Sequence, residues 1–275
     1  MSESVARAAP DWLALREPAD AAARSRGLVE VLRPHLPTGR VAIHDLGCGT
    51  GSMARWLAPQ LPGAQRWFGY EHDAELLARA AASPPPVSLD GQRITVATSL
   101  RDITRLPAED LEGASLVVAS ALLDMLTRAE IERMVASIVA AGCPALITLS
   151  VIGQVELAPA HPLDGRLMEA FNAHQMRAVG QGRLLGPRAV EVGATEFARA
   201  GWSVQSAPSP WRLGAGDAEL LTAWLEGWVG AACEQEPSLL CEGSDYLAWR
   251  TRQVESGQLT ATIHHRDLVA HPAVV

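Results

Sequence analysis

From His44 to Met53 the sequence reads HDLGCGTGSM, with Asp45 followed at alternate positions by Gly47, Gly49 and Gly51. An apolar run precedes this stretch and a helix-like run follows it. A glycine loop at such a junction lets a ligand approach the backbone closely and aims a helix N-terminus at it. Phosphate loops of nucleotide hydrolases need a Lys-Ser/Thr pair after the last glycine, whereas Ser52-Met53 follows Gly51. Dinucleotide loops place two residues before their third glycine, which packs helix against sheet, and the single alternation lacks them. More polar groups stand at the ends of later apolar runs: Glu71 and His72 in FGYEHDAELLARA, Asp102 and Ile103 in RDITRLP, and Ser120, Ala121 and Asp124 in ASLVVASALLDML. A carboxylate at Glu71, about twenty residues after Gly51, can accept both hydroxyls of a ribose. Cys48 reads as a small buried filler rather than a nucleophile.

The Asp-x-Gly-x-Gly-x-Gly spacing, with Glu71, Asp102 and the end of the fourth strand-like run after it in order, resembles class I S-adenosylmethionine-dependent methyltransferases. The resemblance runs from about Asp11 to Val151, with a weaker echo in TATIHHRDLVAHP. It implies S-adenosyl-L-methionine as cofactor, held by Asp45 and the turn of Gly47, Gly49 and Gly51. It further implies Glu71 with His72 at the ribose, Asp102 with Ile103 at the adenine, and backbone carbonyls at Ser120 and Ala121 on the methionine amino group. In that family the sulfonium methyl passes to a nucleophilic acceptor by in-line displacement. The protein must orient the reactants, exclude water and remove a proton if the nucleophile carries one. The chain departs from the family at Ser115, where Asp is frequent, and at Asp124, where His is common. Asp124, four residues beyond Ser120, is therefore a candidate general base. An acid at the start of the helix after Thr127 is the rival reading.

His174 is the second catalytic candidate, on a predicted helix with Leu167 and Phe171 on its side; a core histidine bonded to a neighbour is the alternative. Trp12, Arg16 and Arg24 share one face of a predicted first helix. Trp12 and Arg16 can then close over the cofactor, Arg16 gripping its carboxylate through a bidentate pair. An amphipathic helix with exposed arginines fits the same spacing, and a solvated loop carboxylate fits Asp102. Trp224 and Trp228 belong to a helical stripe of core type. His264 and His265 alternate across a strand, so no metal site is expected.

These residues need a rigid scaffold, and the chain alternates in the way that builds one. Strand-like runs at Val41–Leu46, Trp67–Tyr70, Ile94–Thr98, Ser115–Ser120 and Ala145–Val151 are separated by helical segments or short connections. This predicts an α/β doubly wound, mostly parallel sheet with helices on both faces, seven-stranded by the family resemblance. Thr127 and Glu130 have capping-box spacing ahead of Ile131, Met134, Val135 and Ile138. Later helices are expected at 163–178, 187–200, 217–233 and 244–256, with strands at 201–204 and 259–264. The whole of 1–275 reads as one domain: N-terminal helices to 38, a cofactor-binding half over 39–151, and a substrate and lid half over 152–275 with a helical insertion at about 212–257 forming a cap.

A formal charge of −8 with a pI near 5.5 disfavours nucleic acid as a partner. A small-molecule acceptor is expected. The alternatives are an RNA or protein methyltransferase, with an open cleft and basic rim, and a non-catalytic cofactor-binding or partner protein that retains the fold. Four cysteines without metal or disulfide spacing suit a reducing cytoplasm. The N-terminal stretch lacks the basic start and apolar core of a secretory signal. Met134 to Val155 is uncharged, but Gly142-Cys143-Pro144 divides it into helix and strand rather than a membrane span.

Overall fold

The structure, a computed structural model, describes residues 9–273. Helix α1 (Pro10–Ala23) carries Pro10 in its first turn, and Ser25 caps α2 (Arg26–Leu32) by accepting from the Leu28 N–H. There follow β1 (Val41–Leu46), α3 (Ser52–Leu57), β2 (Gln65–Glu71), α4 (Ala74–Ala82), β3 (Ile94–Leu100), β4 (Leu116–Ser120), α5 (Arg128–Ala141) and β5 (Ala145–Ala158). The later part contains α6 (Asp164–Gln175), a hairpin of β6 (Ala178–Val179) and β7 (Gly182–Arg183), α7 (Ala189–Arg199), β8 (Trp202–Pro208) and β9 (Trp211–Leu213). Helices α8 (Ala218–Gln235) and α9 (Leu240–Glu255) precede the long last strand β10 (Thr260–Pro272).

The main sheet runs β3-β2-β1-β4-β5-β10-β8, with β9 also paired to β10. The first five strands are mutually parallel, and β10 is antiparallel to its neighbours. The strand count is eight where seven were expected. The extra strand, β9, is three residues long and too short to show an alternation.

Side chains sort onto the two faces with period two. Ile43, Leu116, Val118, Leu146 and Val269 pack under α2 and α3. Val117, Ala119, Ile147, Leu268 and Ala270 pack with Ile131, Met134, Val135 and Ile138 of α5 and with Phe197 of α7. The α5 capping box is formed as its spacing predicts: Thr127 Oγ accepts from Glu130 N–H, and the Glu130 carboxylate accepts from Thr127 N–H at 2.8 Å. A third apolar cluster joins α6, α8, α9 and the first half of β10 into the cap.

Chain order reverses where β1 lies between β2 and β4, with Asp45 opposite Gly69 on one side and Val118 on the other. Beyond the carboxyl ends of strands around such a switch point a doubly wound sheet leaves a crevice.

Candidate functional site

The crevice opens into a cavity of about 1420 Å³ that runs from the glycine turn to the underside of the cap. Gly47, Gly49 and Gly51 adopt φ of 66°, 53° and 84°, in the left-handed region that L side chains rarely enter. A Cβ on Gly47 would lie 3.2 Å from Leu122, and one on Gly49 would lie 3.3 Å from Leu13. The bare backbone of Gly47 and Gly49 therefore forms part of the cavity wall, while Gly51, also expected at the cofactor, faces Arg55 and Ala80 outside it.

Glu71, at the end of β2, is 5% exposed and ties this wall together. One carboxylate oxygen accepts from Gly49 N–H at 3.0 Å; the other accepts from His72 and Asp73 N–H and pairs with His72 Nδ1 at 2.9 Å. An ionised carboxylate offers about four lone-pair sites, so capacity remains on the Gly49 side. Asp45 is fully enclosed, yet neither of its carboxylate oxygens has a hydrogen-bond partner among the described residues. Burial pushes its pKa up to about 7, with Arg24 opposing the rise and Glu71 adding to it. A buried unpaired carboxyl costs free energy; a cationic ligand group facing it removes that cost.

Residues at the ends of β3 and β4 complete this half. Asp102 stands half-exposed on the cavity rim beside Ile103, where it accepts from Thr104 N–H at 3.0 Å and Thr104 Oγ at 2.7 Å. Ser120 Oγ accepts from Thr148 Oγ at 3.1 Å and from Arg24 at 2.9 Å. Ala121 follows with φ of 50°, a strained turn at the cavity wall.

Asp124 lies in a short 3-10 turn over Leu123–Met125 and lines the cavity. It does not cap α5, whose cap is closed by Thr127 and Glu130. Its Oδ1 is buried without a partner, and burial raises its pKa while Arg16 draws it down.

Two expectations need correction. Arg16 lines the cavity, but its Nε and Nη2 are both bonded to Asp20, at 3.0 and 3.2 Å, one helical turn away. Two of its five N–H donors are thus held inside α1 by Asp20, so the paired contact to a ligand carboxylate is not preformed. Its guanidinium instead sits 5.0 Å from the Trp211 ring and 6.0 Å from that of Trp12, which also lines the cavity. His174 is absent from the cavity wall. Helical phase turns it toward α8, where Nε2 meets Glu234 at 3.3 Å, while Phe171, Asn172 and Gln175 face the cavity.

Three further residues bear on the site: Arg24, which the sequence put only on the helix face of Trp12 and Arg16, and Asn172 and His265, to which it gave no role. Arg24 lies past the end of α1, buried, with Nη2 on Ser52 and Ser120 while Nε and Nη1 lack partners. Asn172 donates to the Gly153 carbonyl at 2.8 Å and leaves Oδ1 unpaired. His265, on β10, lines the cavity with Nδ1 unpaired, and burial pulls its pKa down to about 3, so the ring is neutral. Its alternation with His264 placed it on one strand face, the only signal available in sequence. Among the described residues no cluster of three His, Cys, Asp or Glu side chains could hold a metal ion, and no helix is long and apolar enough to cross a membrane.

Residues 43–144 match the methyltransferase domain family. A trans-aconitate 2-methyltransferase from Streptomyces avermitilis is 34% identical over 118 residues, which is 42% of this chain and 42% of that protein. The chain thus aligns with well under half of that relative's length. Among solved structures, an S-adenosylmethionine-dependent methyltransferase from Thiobacillus denitrificans in complex with S-adenosylhomocysteine aligns at TM-score 0.48 and 11% identity, covering 98% of this chain and all of the other. The cyclopropane synthase MmaA2 from Mycobacterium tuberculosis aligns at TM-score 0.45 and 14% identity, covering 89% and 83%.

Proposed function

We propose that this chain, whose residues 43–144 match the methyltransferase domain family, is an S-adenosylmethionine-dependent methyltransferase acting on a small-molecule acceptor. One observation carries the reading: the glycine turn, Glu71 and the unpartnered Asp45 open into the same cavity as Asp124 and the apolar underside of the cap. The residues present fit the cofactor. Glu71 offers lone pairs for ribose hydroxyls, and Asp45 with the Ser120–Ala121 backbone suits an ammonium group. Gly47 and Gly49 leave the space that side chains would fill. Asp102 and Ile103 form the rim for the base. Arg24, held by Ser52 and Ser120, is the buried cation of this half. S-adenosylmethionine, when bound, supplies an electrophilic sulfonium methyl group.

Asp124 takes the proton of the acceptor nucleophile at its unpaired Oδ1. The cap formed by α6, α8 and α9 keeps water from the site and fixes the acceptor's approach. Enclosure of the acceptor end by Phe171, Trp224 and Trp228 supports a small molecule over a macromolecule, as does the name of the partial relative.

Calorimetric titration with S-adenosylhomocysteine, beside mass spectrometry of a metabolite extract incubated with methyl-labelled S-adenosylmethionine, tests the reading. Binding is expected, along with a labelled small product. Glu71→Ala should weaken binding by a factor of tens to about a hundred, corresponding to about 2–3 kcal/mol of charge-assisted contacts. Unchanged affinity in a variant with normal circular dichroism overturns the cofactor assignment.

A further inference from the structure

The cavity's outer wall holds a set of cations that the acidic chain leaves unpaired. Arg177, Arg183 and Arg188 all line it, as does Arg133 of α5, and among the described residues none of the four forms an ion pair. No carboxylate between residues 149 and 188 lines the cavity. The cavity's acids, Glu130 and Glu132 beside Arg133 among them, come from earlier elements; over 177–188 three guanidinium groups share the wall with no acid on the same stretch, a local excess of positive charge in a protein of net charge −8.

The arginines are also positioned. Arg177 Nη1 donates to the His174 carbonyl at 3.2 Å and Arg183 Nε to the Met176 carbonyl at 3.1 Å, so the C-terminal end of α6 holds both stems and leaves other N–H groups free. The hairpin that carries Arg183 is fastened to the segment bearing Asp124: Leu185 N–H donates to the Leu126 carbonyl at 2.9 Å, and Leu184 bridges Thr127. Phe171, Trp224 and Trp228 line the same cavity, the last two stacked at 5.3 Å.

We infer that the acceptor is a small anion: a carboxylate or phosphate group docks on Arg177, Arg183 and Arg188, and an apolar body reaches past Asp124 toward the tryptophans. This rests on the methyltransferase reading and specifies its substrate class. Guanidinium forks match the planar carboxylate and the phosphate oxygens through paired hydrogen bonds, and the indole faces supply apolar area without fixing one substrate.

The experiment titrates S-adenosylhomocysteine-loaded protein with matched pairs. Aromatic and aliphatic mono-, di- and tricarboxylates are each set against the corresponding amide, and aryl phosphates against the parent alcohol. At least one anion is expected to bind about tenfold or more tightly than its neutral partner, with the preference shrinking as salt rises; the carboxylate and phosphate arms show which anion is read. In the Arg177→Gln/Arg183→Gln/Arg188→Gln variant the preference should vanish while affinity for the neutral partner and for S-adenosylhomocysteine stays within about twofold. Arg188→Gln alone, on an exposed side chain, should lose part of it. If no anion outbinds its neutral partner, or if the preference survives in the triple variant, the inference is overturned. Failure of the wild-type protein to bind S-adenosylhomocysteine overturns the methyltransferase reading instead.

Discussion

Asp45 and Asp124 are both buried carboxyls on one cavity, and both are pushed toward the neutral form by burial. Their neighbours separate their roles. Asp45 faces the glycine turn, with Arg24 as its nearest compensating charge, and its pKa is pushed up to about 7. An ammonium group docking beside it favours the ionised form. Near pH 6 the free protein therefore holds a proton that the complex releases. Titration with S-adenosylhomocysteine in buffers of different ionisation enthalpy should show this release, and Asp45→Asn should abolish it; heats independent of buffer refute the pairing. The same shift makes a stability prediction. Because the folded value lies above the unfolded one, the stability Asp45 contributes is present below about pH 4 and is lost as pH rises through about 7. Asp45→Asn should therefore raise the melting temperature of the ligand-free protein at pH 8 more than at pH 5. Asp124 as a base must be ionised to act, so activity should fall with acid at a higher pH than an ordinary aspartate dictates. Asp124→Asn should lower turnover by roughly 10²- to 10⁴-fold with S-adenosylhomocysteine affinity unchanged. A small loss with a raised KM, and an unaltered pH profile, assigns it orientation only. The sequence put Asp124 just past a strand end, a local signal that fixes position along the chain, and the residue lines the cavity. The sequence misplaced His174 because the turn of a helix that sends Asn172 to the cavity and His174 to Glu234 is set by packing against α8.

Between β1 and α3 the glycine turn is the element on which binding rests. Gly49→Val combines a left-handed φ of 53° with a β-branched side chain, and its Cβ would start 3.3 Å from Leu13. The backbone strain alone is about 1–2 kcal/mol, too little to unfold a domain of this size but enough to displace the turn. The variant should show normal circular dichroism and no detectable calorimetric binding of S-adenosylhomocysteine; retained affinity contradicts the proposed role of the turn. The parallel strands and the α5 cap were readable because apolar runs between turn residues and the Thr127–Glu130 spacing are local signals. The second half of β5 was not. The apolar run ends at Val151, yet the strand continues and pairs with β10 as far as Ala158 opposite Thr260. Leu149 and Gly153, with φ of 57° and 73°, interrupt its regularity, and tertiary pairing holds it in place. The Leu149 N–H is caught by buried Asp267 of β10 at 2.8 Å. That partner lies more than a hundred residues away, outside any local pattern.

At the scale of the whole molecule, two apolar layers sandwich the sheet and a third builds the cap, so the cavity belongs to the join between cap and sheet. Composition announced that a cap exists; it gave no means to say how the cap is fastened. The fastening is a polar cluster around Arg250 of α9, which is fully buried. Its guanidinium donates to Asp164 of α6 at 2.7 Å, to the Pro159 carbonyl beyond β5 at 2.8 Å, to Gln253 at 2.9 Å and to the Tyr246 hydroxyl at 2.9 Å. Tyr246 in turn donates to Asp164 at 2.6 Å. One side chain thus joins two cap helices to the end of a central strand. Arg250→Ala removes the cation and leaves Asp164, Gln253 and a backbone carbonyl short of donors. Breaking a buried pair in this way costs about 3–5 kcal/mol, and because Asp164 keeps some solvent contact the lower end applies, about 3 kcal/mol. Loss concentrated in the cap should separate two readouts. The denaturation midpoint should drop and protease should cut first within α6, α8 or α9. S-adenosylhomocysteine, bound mainly by the sheet half, should retain affinity within a few fold while the acceptor KM rises steeply. A variant that loses cofactor and acceptor binding together would show that cap and sheet fold as one cooperative unit, with no separable acceptor half.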